Sequence, residues 1–196
     1  MFISTHAYSA QVLGQRVSET LPKFMQDLQH LRHLQAAWAN HKITHRTAQL
    51  LALAERIEAN KPELAAAVCM EVGRCLRECE AEIDKTVDLI RYYAKLAPEL
   101  LDSKTITTQA SLSQVRFEPL GVVLAVMPWN YPVWQIMRFA VPALCAGNAC
   151  LVKPAPSVAQ VTAKLMALVD EAMPLHASYI EHDLIETAIE HADAMA

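Results

Sequence analysis

The stretch "PWNYP", Pro128 to Pro132, sets an asparagine between two prolines directly after the short apolar run "GVVLAV". Val122 to Val126 is β-branched and uncharged, which reads as a buried strand. Pro128 cannot continue a central ladder, so the strand is expected to end there. The ground just past the carboxyl end of such a strand is where open α/β sheets bind ligands. Asn130 therefore offers a side-chain amide at the mouth of a cleft. From spacing alone, a second reading stands beside it: an asparagine in a turn often bonds its own backbone. Arg138 follows eight residues later, about two turns along the helix that begins at the loop. Its guanidinium fork suits a carboxylate ligand, or an acid on a neighbouring element. Lys153 ends a second strand, "NACLVK", and by position alone is a solvated strand-end lysine.

The thiols and imidazoles offer less. Cys145 and Cys150 sit in apolar stretches and read as small buried hydrophobes. Cys75 and Cys79 are one helical turn apart, with no second pair to complete a metal site. His30, His33, His41 and His45 flank Trp38 without thiol or carboxylate ligands at matching spacing, so no metal is expected. The odd count of five cysteines, with no secretory signal at the amino terminus, points to reduced thiols and a cytoplasmic setting. The net charge of −4 gives no basic excess to attract nucleic acid. No stretch is long and uncharged enough to span a bilayer. Only four glycines occur, too few and too scattered for a G-x-G-x-x-G or Walker loop.

The elements that must position these residues fall into four regions. Residues 1–20 carry no clear period and are expected to be a poorly anchored lead-in. Residues 21–100 are helical. Leu21, Phe24, Leu28, Leu31, Leu34 and Trp38 mark one face of a first helix, and Leu50, Leu53, Ile57, Leu64 and Val68 that of a second. Pro62 suggests a kink or break, Gly73 a helix end, and "LRECEAEIDKTVDLIRYYAKLA" a third helix ending near Pro98. Residues 101–120 are rich in hydroxyl and β-branched side chains and read as a half-exposed strand pair. Residues 121–196 alternate: a strand at 122–126, a helix at about 131–145, the strand "NACLVK", a helix from Ser157 to about Met173, a third strand near "ASYI", and a helix at 184–189. The class is α/β, with helices and a strand pair leading into an incomplete parallel βαβα unit with right-handed crossovers.

"PLGVVLAVMPWNYP" followed by "RFAVPALCAGNACLVKPAPS" resembles the NAD(P)-dependent aldehyde dehydrogenase superfamily, most nearly its succinate-semialdehyde dehydrogenases. The likeness runs from about Leu21 to the carboxyl end and is looser after Pro174. It implies a truncated, Rossmann-like amino-terminal portion of that fold, a homo-oligomer when complete, and an aldehyde or semialdehyde as substrate. The thiolate nucleophile, the general-base glutamate and the Thr-Gly-Ser turn of that family are expected beyond this segment. The resemblance implies that Asn130 donates to the oxyanion formed when a thiolate adds to the aldehyde, with Trp129 and Pro132 pinning the loop. It places Met127, Pro128, Trp129 and Asn130, with Lys153, Pro154, Ala155 and Pro156, along an NAD or NADP site. Lys153 matches the lysine that bonds the adenosine ribose. Pro156 stands where many NAD-preferring members carry a glutamate, so a 2′-phosphate meets no repulsion and NADP is tolerated. Arg138 matches an arginine that binds the distal carboxylate of succinate semialdehyde. Phe139 replaces the lysine usual at its position. A second function remains open: a non-catalytic remnant or subunit-interaction protein.

Overall fold

The computed structural model describes residues 1–193. The expected lead-in is instead an anchored hairpin. Strands β1 (Phe2–Thr5) and β2 (Val12–Arg16) pair antiparallel. The Phe2 side chain is buried against the Tyr179 ring. The period-2 burial of β1 is only four residues long, which is too short to register as a pattern in the sequence.

Four helices follow: α1 (Leu21–Asn40), α2 (Ile43–Ala59), α3 (Lys61–Val72) and α4 (Leu76–Leu100). Thr20 caps α1 by accepting from the Lys23 amide. Pro62 starts α3 rather than kinking a longer helix, the position where a missing N–H costs nothing. Gly73 ends α3 with φ of 83°, a left-handed conformation that other residues adopt only with strain. The strand pair is reduced to β3 (Lys104–Thr105) and β4 (Gln114–Val115), and all four residues are exposed rather than half-covered.

The sheet that carries the site is parallel, in the order β5 (Val122–Val126), β6 (Ala149–Lys153) and β7 (Leu175–Ala177). Helix α5 (Pro132–Cys145) joins β5 to β6. A single 3-10 turn (Pro156–Val158) and α6 (Ala159–Met166) join β6 to β7. This second helix is shorter than expected and stops before 173. Past Met166 the ladder tightens, with the Leu168 and Val169 amides donating to the carbonyls three residues back, and the Asp170 carboxylate then accepts from the Ala172 amide. Helix α7 (Ile185–Asp193) closes the described chain.

All of β6 is buried. Ala149 and Leu151 face α1 through Phe24, Leu28 and Leu31, whereas Cys150 and Val152 face α5 and α6. Both faces of the central strand are thus covered, as a parallel sheet requires. Strand β5 lies at the open side, and each of its residues keeps some solvent exposure.

The "AGN" of "PALCAGN" has a structural reason. The Asn148 side-chain oxygen accepts from the Leu120 and Gly121 amides at 2.7 and 3.1 Å. Its nitrogen donates to the Ala143 carbonyl at 3.2 Å. One buried amide therefore ties the end of α5 to the start of β5. From the helical region, Trp38 and Arg46 donate to the carbonyls of Leu144 and Cys145 at 2.8 and 3.0 Å. Arg46 thus gives the Cys145 carbonyl a partner at the helix end, and Trp38 adds a second donor to the Leu144 carbonyl, which also accepts the Gly147 amide.

Candidate functional site

The site is built on the register of β5 and β6. Val126 stands opposite Lys153, and the Met127 amide donates to the Lys153 carbonyl at 2.9 Å. Both strands stop at this level. The loop Met127 to Tyr131 and the loop Pro154 to Pro156 therefore leave the sheet side by side at its carboxyl edge.

Asn130 is exposed at that edge, and its amide makes no hydrogen bond among the described residues. The amide therefore does not bond its own turn in this geometry. Pro132 is buried, as a loop anchor should be, but Trp129 is 56 % exposed and pins nothing. The pinning comes from α4. The Oε1 of Glu82 accepts the Val133 and Trp134 amides at 2.9 and 3.0 Å, capping α5 from across the chain. Its other oxygen pairs with Arg74, whose guanidinium lies 4.0 Å over the Tyr131 ring. Glu82 and Arg74 were not among the residues expected to shape the site. Their signal was a carboxylate inside the apolar stripe Cys79, Ile83, Thr86 of α4, a place where a charge needs a partner.

Glu71 does the same for the second crossover. Its two oxygens accept the Gln160 and Val161 amides at 3.0 and 2.8 Å, and Ser4 adds a third donor. Burial outweighs these donors and raises the Glu71 carboxyl above the usual carboxylate range. The consequence reaches the site. The amino termini of α5 and α6 are the natural phosphate seats of such a sheet. Both are filled by the protein's own carboxylates, so neither is open to a pyrophosphate.

Lys153 is not the solvated strand-end lysine of the simplest reading. It is 5 % exposed, with its ammonium 5.5 Å from the centroid of the Phe2 ring. It forms no hydrogen bond or ion pair among the described residues. Burial lowers its pKa, and the charge of Glu181 opposes that shift. An ammonium without a protein acceptor suits a ligand that brings hydroxyl oxygens. Pro154 is buried, Ala155 half-buried, and Pro156 exposed at the start of the 3-10 turn.

Arg138 is exposed and makes no ion pair among the described residues. It borders an open cavity of about 530 Å³ with Val126, Met127, Pro128, Gln135 and Phe139. The structure thus brings Arg138 and the Met127–Pro128 segment to one cleft, and sets Lys153 to Pro156 one strand away.

Three of the five cysteines are buried and poorly nucleophilic. Burial pushes the Cys79 and Cys145 thiols up to about 11 and the Cys150 thiol up to about 12. Among the described residues no group of three or more His, Cys, Asp or Glu is placed to hold a metal ion, and no helix is long and apolar enough to cross a membrane.

Comparison with known proteins agrees with this geometry. The family model described as "Aldehyde dehydrogenase family" matches residues 5–179. The succinate semialdehyde dehydrogenase [NAD(P)+] Sad of Escherichia coli is 32 % identical over 160 residues, covering 79 % of this chain and 35 % of that protein. The succinate-semialdehyde dehydrogenase [NADP(+)] of Mycobacterium avium is 42 % identical over 128 residues, covering 64 % and 25 %. The chain therefore spans about a third or less of the length of these relatives. The crystal structure of succinic semialdehyde dehydrogenase from Streptococcus pyogenes with NADP+ superposes with a TM-score of 0.89 at 25 % identity, covering 96 % of this chain and 43 % of that one. The match of a whole-family model over nearly all of the sequence, on a sheet with these loops at its carboxyl edge, places the chain in the aldehyde dehydrogenase family.

Proposed function

We propose that this chain is the cofactor-side part of an NAD(P)+-dependent aldehyde dehydrogenase that oxidises succinate semialdehyde to succinate. The carrying observation is the pairing of Val126 with Lys153, which sets the Asn130 loop and the Lys153 loop at one sheet edge. Two relatives bear the names succinate semialdehyde dehydrogenase [NAD(P)+] and succinate-semialdehyde dehydrogenase [NADP(+)], which supports both the substrate and the cofactor class.

The residues present fit an adenosine ribose. Lys153 holds an unpaired ammonium for its hydroxyls, and Pro156 puts no carboxylate beside the 2′ position. They do not supply a pyrophosphate seat, because Glu71 and Glu82 fill both helix amino termini. Bound at this edge, the dinucleotide supplies the hydride acceptor. The part played by Asn130 is electrostatic: its amide N–H donates to the oxygen that gains charge as the aldehyde carbon becomes tetrahedral. A fixed donor of this kind is worth about a hundredfold or more in rate. Glu82 holds the loop so that the amide does not have to be reoriented during the reaction. Arg138 takes the distal carboxylate of the substrate.

The test is equilibrium binding of NADP+ to the purified chain, followed by tryptophan fluorescence. Saturable binding that weakens about tenfold or more in Lys153→Met is expected, since a charge-assisted bond to the ribose is lost. Equal binding by the variant would show that Lys153 does not meet the ribose.

A further inference from the structure

We infer that the outer edge of β7 is a strand-acceptor site, which binds the extended carboxyl-terminal tail of a partner protein that ends in apolar residues. The site lies apart from the residues of the proposed function and does not depend on that reading. A cavity of about 670 Å³ opens along this edge, with β7 itself as the floor. One wall is α1, through Leu31 and Leu34. The other is α6 and the turn after it, through Met166 and Val169.

The ladder of the sheet leaves this edge unfinished. The Cys150 amide donates to the Pro174 carbonyl at 2.7 Å, and the Ser178 amide to the Val152 carbonyl at 2.8 Å. Residues 174, 176 and 178 therefore turn their backbone groups toward β6, and Leu175 and Ala177 turn theirs outward. The Leu175 amide bonds back to the Met173 carbonyl at 2.8 Å. Ala177 is 6 % exposed, yet its N–H and C=O meet no partner among the described residues. A covered backbone pair of this kind calls for a donor and an acceptor from outside. The edge takes such a neighbour just beyond the cavity. There the Glu19 amide donates to the Tyr179 carbonyl at 3.1 Å, in a parallel bridge of Glu19 with Ile180.

Charge sets the direction of the occupant. At the carboxyl end of β7, the Arg16 guanidinium lies 4.8 Å over the Tyr179 ring. Its Nε is buried without a hydrogen-bond partner, and it forms no ion pair among the described residues. The acids around it are engaged, Glu19 with Ser178, and Glu71 with Ser4 and two backbone amides. At the amino end, the Met173 amide donates to the Asp170 carbonyl, which sets Asp170 and Glu171 just ahead of the strand. Both acids are exposed and line the cavity. A peptide parallel to β7 therefore puts its terminal carboxylate at Arg16 and a cationic side chain beside Asp170 and Glu171. From Leu175 to Tyr179 the strand runs about 13 Å, the length of about four extended residues. Alternate side chains of the peptide point to the two apolar walls in turn. A fatty acid fills the same walls and reaches Arg16 but leaves Ala177 unpaired, so the free backbone groups favour a strand.

The experiment titrates a tetrapeptide of lysine, two valines and a carboxyl-terminal leucine into the isotope-labelled chain. The Ala177 amide is followed by NMR. A saturable shift of that signal and slower exchange of its proton are expected. Amidation of the peptide's carboxyl terminus should weaken binding about tenfold, as should Arg16→Met, whereas Arg16→Lys should retain most of the affinity. N-methylation of both valines removes the backbone donor that faces the edge and should abolish the shift. No saturable shift at Ala177, or equal binding of the amidated or the N-methylated peptide, would overturn the assignment. Octanoate binding as tightly as the peptide would overturn it too, since the groove would then be a pocket for a small carboxylate. The peptide variants leave the chain unchanged, so the test stands even where Arg16→Met does not fold.

Discussion

The Oε1 atom of Glu82 lies 2.9 Å from the Val133 amide nitrogen, although 51 residues separate them in the sequence. This bond ties the longest helix of the amino-terminal region to the first turn after the Asn130 loop. The helical half is therefore part of the site's support as well as a cover for the sheet.

Loss of that tie should be costly. Glu82→Ala leaves two backbone amides and a buried guanidinium without their acceptor. Breaking a buried, hydrogen-bonded pair in this way costs about 3 kcal/mol. Glu82→Gln keeps one acceptor oxygen and should cost about 1 kcal/mol. Urea unfolding of the three proteins measures both values. Equal stability of Glu82→Ala and the parent would show that the cap is not formed in solution.

Cofactor choice should turn on Pro156. Pro156→Glu sets a carboxylate three residues past Lys153, where it accepts from a ribose hydroxyl and repels a 2′-phosphate. A hydrogen bond of this kind is worth about 1 kcal/mol, and repulsion adds to it. The ratio of the Kd values for NADP+ and NAD+ should rise by about tenfold or more. An unchanged ratio would place the adenosine elsewhere.

Part of this was legible in the sequence. Short continuous apolar runs placed β5 and β6, and the apolar stretch between them placed α5, whose buried residues Val133, Ile136, Met137 and Ala140 follow the helical period. The Phe2 hairpin was not legible, since its anchor is one aromatic ring meeting Tyr179, which lies 177 residues away. Glu71 and Glu82 were hidden for a related reason. A glutamate on a helix is usually solvated, and only the fold shows that these two reach other helices' amino termini. Asn130, Arg138 and Lys153 were found through a family likeness. Their spacing alone did not separate a ligand site from a turn, a surface charge and a strand end.

The pH dependence of stability should carry the mark of Glu71. Burial raises its carboxyl above the ordinary value, so the folded state favours the protonated form. A raised pKa contributes stability that is fully present below the unfolded pKa and is lost as pH rises through the folded one. Glu71→Gln removes this titration. The parent should therefore lose stability relative to Glu71→Gln as pH rises through and just above the carboxylate range. Denaturant midpoints of the two proteins across that range give the sign. A difference that stays constant, or that moves the other way, would mean that the Ser4, Gln160 and Val161 donors outweigh burial.

Thiol reactivity should rank by exposure and by pKa. Cys75 is exposed at the amino end of α4. Cys79, Cys145 and Cys150 are buried, with pKa values pushed up to about 11, 11 and 12. The thiolate is the reacting form, so the buried three are nearly inert at neutral pH. Iodoacetamide followed by peptide mass spectrometry should label Cys75 first, and the buried three only on unfolding. For the same reason the chain alone should form no NADPH from succinate semialdehyde. Turnover that survives blocking of Cys75 would require one of the other four thiols, half-buried Cys69 or a buried one, to act as nucleophile.

The open side of β5 sets the last expectation. Strand β5 ends the three-stranded sheet among the described residues, and Val126 is 51 % exposed. Leu120, just before the strand, is 90 % exposed, and Trp129, just after it, 56 %. An unpaired parallel edge flanked by apolar side chains offers both backbone bonds and buried area to another strand. The helical layers and the fully buried β6 should hold their structure, so helix content should remain high. The sheet edge should still draw chains together. Sedimentation of the purified chain should show association that grows with concentration, accompanied by a broad thermal transition. Val126→Lys, which puts a charge on the edge, should reduce association without loss of helix signal. A monomer that unfolds sharply and independently of concentration would show that β5 needs no further partner. The 196-residue chain would then be a self-sufficient unit, and the non-catalytic reading of its role would gain the support that cooperative folding gives.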